Sequence, residues 1–365
     1  MKSIKSIALA IGLSAIALNS ANACTGTKLK AKDNSVVYGR TLEFGFDIHS
    51  NVIVIPRNYA FKGTSPFEGQ GMQWKSKYAI VGANAEDQKM IVDGLNEKGL
   101  SVGSFYFPGY AKYQEVNQKQ AGNSINSVEL GVWILSNFST IDEVKQGLQK
   151  IKVSNAKFKP WDTVVPLHYI ATDLSGKSLV IEYVDGKLNT YDNKIGAFTN
   201  SPTFDWHMTN LRNYINLSPL NVTEIKVDRN TVGQFGQGSG MHGLPGDFTP
   251  PSRFVRSAVF TASSLPVDNA EQAVTRAFHI LNNFDIPKGA IREVQDGKLT
   301  TDITLWTSVD DLSNKRFYFH TYNDRALKMV DLMKFDLNAK TIKVIPMAGK
   351  NQIADMSKSA TEMTN

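Results

Sequence analysis

The chain opens on a feature that constrains everything after it: a 23-residue leader, MKSIKSIALAIGLSAIALNSANA, runs directly into Cys24, the only cysteine among 365 residues. Lys2 and Lys5 precede an apolar stretch from Ile7 to Leu18, and Ala21-Asn22-Ala23 has the small-x-small form of a secretory cleavage site. That stretch is short for a bilayer span, and no later segment is apolar enough to cross. The expectation is a removed signal peptide over 1–23 and a mature chain that is periplasmic or secreted, with no stable membrane anchor. Export places the chain where disulfides form, yet a single cysteine closes no internal bridge. The fold must therefore be held by its apolar core, and one elaborated domain over 24–350 with a frayed tail over 351–365 is expected.

A lone cysteine is ordinarily a small buried hydrophobe or an accidental free thiol. Its place as the first residue after the cleavage point gives Cys24 a different chemistry. A thiol of pKa about 8.5 and an α-amine of pKa about 8 then share one residue. The amine can take the thiol proton, directly or through a water, and later protonate a departing amine, so a hydrolase needs no histidine here. Lipoprotein acylation is the other standard fate of such a cysteine, and it would consume the same amine. Lipidation signals favour leucine three residues ahead, where this chain has Ala21.

Other chemistries find little support. The formal net charge is +6, two of it from Lys2 and Lys5, and acids and bases are interleaved, so no nucleic-acid or anionic-membrane partner is indicated. His49, His168, His207, His242, His279 and His320 show no metal-binding spacing. Gly238-Ser239-Gly240-Met241-His242-Gly243 matches G-x-G-x-x-G, but no apolar strand precedes it and Leu244-Pro245-Gly246 follows, so it reads as a flexible loop. There is no G-x-S-x-G elbow.

Periodicity predicts strands over 25–30, 36–42, 51–56, 78–83, 90–92 and 100–105, with Asn96-Glu97-Lys98-Gly99 turning a hairpin between the last two. Helices follow over 127–138 and from Thr140, whose spacing to Glu143 is that of a capping box. Further strands are expected at 167–172, 178–184, 188–191, 301–309, 316–322 and 328–336, and further helices around 206–215, 252–263 and 270–282. Strands joined by tight turns and interrupted by paired helices give an α+β chain with antiparallel sheets, not βαβ units. Arg40 and Glu43 fall in a segment able to form a hairpin with the strand at Cys24. A regular strand sends positions three apart to opposite faces, so one of the pair faces Cys24, unless both are a surface ion pair.

At this point several motifs coincide. Cys24-Thr25-Gly26, Gly39-Arg40-Thr41-Leu42-Glu43, Leu95-Asn96-Glu97-Lys98-Gly99-Leu100, Thr199-Asn200-Ser201-Pro202-Thr203-Phe204-Asp205-Trp206, Asn210-Leu211-Arg212-Asn213-Tyr214, Leu244-Pro245-Gly246-Asp247 and Ser252-Arg253-Phe254-Val255-Arg256 are spread in order over nearly the whole mature chain. The chain resembles the choloylglycine hydrolases, which comprise conjugated bile acid hydrolases and penicillin V acylases within the N-terminal nucleophile hydrolases. The resemblance implies a four-layer αββα sandwich of two antiparallel sheets, hydrolysis of a linear carboxamide through a thioester, no cofactor, and a homotetramer. By motif, Cys24 is the nucleophile, Arg40 sits beside its sulfur, Asn200 donates to the oxyanion, and Arg253 is a distal arginine of the charge network. Glu43 stands where the family usually has an aspartate that orients the α-amine. Tyr106, before Phe107-Pro108-Gly109, would give its backbone N–H as second oxyanion donor; tyrosine there leans toward penicillin V acylases, asparagine toward bile acid hydrolases, and an ordinary strand-end aromatic is the plain alternative. Penicillin V, bile acid conjugates and N-acyl homoserine lactones remain open as small-molecule amide substrates. A non-catalytic exported binding protein is the remaining alternative class.

Overall fold

In the computed structural model, residues 23–295, 297–351, 353–361 and 363 are described; the expected leader, apart from Ala23, lies outside them, as does part of the expected tail. Two antiparallel sheets carry the fold. The first orders Cys24–Lys30, Val36–Phe44, Lys298–Asp311, Arg316–Thr321 and Asp324–Asp331 side by side, with Ile291–Gln295 folded onto the long strand. The second, of eight strands, runs from Lys187–Asp192 through Ser178–Val184, Leu167–Thr172, Ser101–Tyr106, Asp93–Asn96, Ile80–Ala83 and Asn51–Ile55 to Lys343–Pro346. Helices α1 (Leu130–Asn137) and α2 (Ile141–Leu148) belong to the outer side of the second sheet, while α4 (Pro250–Ser263) and α5 (Ala270–Leu281) cover the first; α3 (Phe204–Leu211) sits against α4. This is the αββα sandwich.

Burial follows those layers. All nine residues of Val36–Phe44 are buried, because its two faces meet the other sheet and the helix layer. Val37 and Val309 pack with Ala273, Ala277 and Leu281 of α5 in one cluster, whereas Val36, Tyr38 and Leu42 belong to the larger core between the sheets.

The first two strands form a hairpin whose turn holds Asn34 at φ 71°, and Cys24 pairs with Leu42, Gly26 with Arg40. At α2, Thr140 accepts from the Glu143 amide at 3.2 Å, but the Glu143 carboxylate turns to Ser139, so only half of the expected box forms. The strand expected at 90–92 lies instead at Asp93–Asn96. Gly82 and Gly94 oppose each other there so closely that a Cβ on Gly94 would sit 2.4 Å from the Val81 carbonyl oxygen. Asp93-Gly94 thus looks like turn punctuation while serving a tight strand contact. The last expected strand, 328–336, ends at Asp331, whose carboxylate accepts from the Met333 amide and turns the chain into a short 3₁₀ segment. The strand Lys343–Pro346, absent from the sequence reading, closes the edge beside Asn51–Ile55.

Candidate active site

Directly paired residues share a face of an antiparallel pair, so Cys24, Leu42 and Arg40 face the second sheet, while Thr25, Thr41 and Glu43 face the helices. The sequence expectation that Arg40 and Glu43 diverge is met, and both are wholly buried, so they are not a surface ion pair. Cys24 lies at the floor of a small apolar pocket of about 50 Å³ together with Arg40, Leu42, Tyr106, Phe158 and Trp161. The rim is aromatic: Phe44 contacts Tyr106 at 6.0 Å and Trp161 at 5.6 Å between ring centres, and Trp161 is held by a 2.9 Å hydrogen bond from its indole N–H to Glu86. A wider groove of about 570 Å³ opens on the far side of Phe44, past Phe46, His49 and Lys288, and does not include Cys24.

The Arg40 guanidinium is held by carbonyls, not by an acid. Nε donates to Thr41 O at 3.2 Å, Nη1 to Val92 O at 3.4 Å and to Ser104 O, and the plane lies 4.1 Å over Phe105. Nη2 has no partner among the described residues. Burial pushes the Cys24 thiol above its ordinary pKa; Arg40 pulls it down, Glu43 pushes it up, and the Glu43 amide and Arg253 pull it down again. Arg40 is thus the strongest influence favouring the thiolate.

On the helix face, Glu43 stands opposite an irregularity in the Lys298–Asp311 strand, where the register skips Leu305. The skip brings in Thr304, whose hydroxyl accepts from the Ile286 amide at 2.9 Å and donates to Glu43 Oε1 at 3.0 Å. Oε2 has no partner among the described residues. Burial raises the Glu43 carboxyl to about 8 against the pull of Arg253. With Ala23 in place, the Glu43 amide donates to the Ala23 carbonyl at 3.0 Å, and the Cys24 amide donates to Asn200 Oδ1 at 2.7 Å.

Asn200 reaches this point by register. Gly26 and Phe198 exchange backbone hydrogen bonds of 2.7 and 3.2 Å, so the chain two residues further on lies beside Cys24. Its Oδ1 accepts from the Cys24 nitrogen and from Arg253 Nη2 at 2.8 Å, which fixes the amide orientation, because both partners only donate. Nδ2 donates to the Tyr106 carbonyl at 2.8 Å, leaving its second N–H for another acceptor. Arg253, from α4, also binds the Cys24 carbonyl, Thr25 Oγ1 at 2.9 Å and Phe248 O at 2.8 Å. The structure therefore gathers Cys24, Arg40, Asn200, Arg253 and Tyr106 at one point, with Glu43 beneath. Sequence reasoning missed Thr304, Trp161, His168, Glu182 and His207, none of which has a local signature. Among the described residues no cluster of metal-binding side chains occurs and no helix is long and apolar enough to cross a membrane.

The sandwich carries a buried cysteine at the head of its first strand, and the family that the chain matches consists of enzymes that hydrolyse carbon–nitrogen bonds of linear amides. Residues 24–345 match the linear amide C–N hydrolases of the choloylglycine hydrolase family, and the chain belongs to that family. It is 35% identical over 322 residues to a bile salt hydrolase/transferase of Clostridium perfringens, spanning 88% of this chain and 95% of that one. A crystal structure of a variant conjugated bile acid hydrolase from Clostridium perfringens superposes with a TM-score of 0.81 at 33% identity, covering 91% of this chain and 99% of the other. A penicillin V acylase of Pectobacterium atrosepticum is 25% identical over 359 residues, 92% of this chain and 88% of that protein.

Proposed function

We propose that the chain is exported, loses residues 1–23, and hydrolyses amides of apolar acyl groups through a thioester on Cys24. The freed α-amine takes the thiol proton, and sulfur adds to the substrate carbonyl carbon as its C–O double bond opens to an oxyanion. The spare N–H of Asn200 and the backbone N–H of Tyr106 hold that oxyanion. Collapse breaks the C–N bond, and the α-ammonium gives its proton to the departing amine. Water then adds to the thioester by the same route and releases the acid and the thiol. The supporting observation is that one side chain, Asn200, spans from the Cys24 nitrogen to the Tyr106 carbonyl, so nucleophile and oxyanion donors share one point. Glu43 Oε2, which lacks a donor among the described residues, takes the α-ammonium once it exists.

The acyl group enters the Phe44–Tyr106–Trp161 pocket. At about 50 Å³ that pocket is well below the roughly 150 Å³ of a cavity that holds one benzene ring and the roughly 300 Å³ at which drug-sized ligand sites begin, so the rim must open for an acyl group to enter. An aryloxyacetyl amide such as penicillin V, which needs a smaller opening than a steroid, is the first reading, in line with Tyr106. The relatives named as bile salt hydrolases favour a second, in which the Trp161 segment swings aside for a steroid. Comparing kcat/KM for penicillin V, glycine- and taurine-conjugated bile acids and an N-acyl homoserine lactone decides between them; a bile acid conjugate ranking first sinks the small-pocket reading. Intact mass checks the terminus: a start other than Cys24, or a lipid on it, removes the proposed base. The resemblance also supports a homotetramer, which sedimentation velocity would test.

A further inference from the structure

The residues 199–203 that carry Asn200 lie in no strand or helix. Two buried histidines grip consecutive carbonyls of that segment. His168, on Leu167–Thr172, places Nε2 at 2.9 Å from Thr199 O; a carbonyl only accepts, so Nε2 bears the hydrogen. His207, on α3, places Nε2 at 2.9 Å from Asn200 O. Its Nδ1 has no partner among the described residues, which makes it the neutral Nε2–H tautomer.

The other side of His168 is also fastened. Nδ1 lies 3.1 Å from Glu182 Oε1, and the same oxygen accepts from the Phe204 amide at 3.0 Å, at the start of α3. His168 is 1% exposed and Glu182 0%. With Nε2–H committed to Thr199, a further proton must lie between Nδ1 and Oε1, as an imidazolium–carboxylate pair or as imidazole and carboxylic acid. Either form keeps the pair neutral overall, as burial demands. The His168 ring stacks on Phe107 at 4.1 Å and 8°, and His207 on Phe254 at 4.7 Å and 13°, so neither ring can turn freely.

We propose that Glu182, His168 and His207 are positioning residues for Asn200: they clamp the carbonyls of Thr199 and Asn200 so that the asparagine side chain bridges Cys24 and Tyr106. No hydrogen bond joins any of the three to Cys24, so their effect is transmitted through Asn200. The proposal rests on the reading of Asn200 as an oxyanion donor.

A double-mutant cycle on the mature enzyme tests both separately. His168→Phe keeps the stacked ring and deletes both hydrogen bonds; kcat should fall about 10- to 100-fold with KM within about threefold. His168→Gln, whose side-chain amide can still reach Thr199 O, should recover most of that loss. In an Asn200→Ala background, His168→Phe should change kcat less than about twofold, because the group it positions is gone. Fully multiplicative losses, or a rise in KM alone, overturn the clamp. An unaffected Asn200→Ala sinks the oxyanion reading and the clamp with it. Should His168→Phe fail to fold, His207→Phe, stacked on Phe254, runs the same cycle.

Discussion

The hairpin from Cys24 to Phe44 and the segment from Phe198 to Phe204 meet at the same point and are held there by different means. The hairpin is placed by seven consecutive residue pairs of backbone register, in a strand pair continuous with the rest of its sheet. The segment has one backbone bridge, at Gly26, and is otherwise held by side-chain hydrogen bonds: from His168, His207 and Arg253, to Glu182, and from its own Thr199, Asn200 and Ser201 to the carbonyls of Pro250, Tyr106 and Pro108. Ladder pairing distributes position over many bonds, so one substitution moves little. A segment held by a few side chains concentrates it, and each holder is a point of failure.

The comparison breaks most completely at the nucleophile. Cys24→Ala should abolish turnover while thermal unfolding stays within a few degrees of wild type, because the ladder does not use the thiol; residual turnover would put the nucleophile elsewhere. Asn200→Ala comes next, with kcat lower by about 10²–10³ and a smaller change in KM. An unchanged kcat in a folded variant excludes the oxyanion role.

Two smaller effects sharpen the hairpin itself, and their signs oppose. Arg40 lowers the Cys24 thiol pKa, so Arg40→Leu should move the acidic limb of kcat/KM to higher pH. Glu43 raises the thiol, and the α-ammonium freed beside it draws its carboxyl down from the raised value to the carboxylate, which in turn raises the amine; Glu43→Gln should lower activity and move the limb to lower pH. Glu43→Asp keeps the charge and should retain more activity than Gln. Shifts in the same direction for Arg40→Leu and Glu43→Gln would show that neither acts through charge at Cys24. If Gln matched wild type at every pH, Glu43 would be structural.

The smallest expected effect on chemistry is the largest test of the ladder. A Cβ on Gly26 would stand 2.3 Å from Tyr38 Oη, so Gly26→Ala should cost about 1–3 kcal/mol of stability by overpacking. Chemical denaturation reads this directly; a stability equal to wild type would mean that Tyr38 moves aside freely.

The same contrast explains what the sequence disclosed. Cys24, Arg40 and Glu43 lie within twenty residues around one turn, so strand alternation alone foretold that the last two would part to opposite faces. The sheets and α-helices were legible wherever apolar period and turn residues agreed. Asn200 and Arg253 were reachable only through motif resemblance, since 176 and 229 residues separate them from the cysteine atoms they bind. His168 and Glu182 were invisible: each sits in a buried, mostly apolar strand, and partnership across three elements leaves no periodic trace. The strand at Asp93–Asn96 was misplaced because its glycine serves a close backbone approach that reads like a turn.

The aromatic rim described around Cys24 also makes the enzyme its own gauge of accessibility. With Cys24 3% exposed in the pocket lined by Phe44, Tyr106 and Trp161, covalent labelling is limited by passage, not only by thiolate content. Small neutral iodoacetamide should follow the ionisation of the thiol as pH changes, whereas a bulky anionic disulfide reagent should follow the opening of the rim. The ratio of the two labelling rates then measures how often the Trp161–Glu86 hydrogen bond lets the entrance widen.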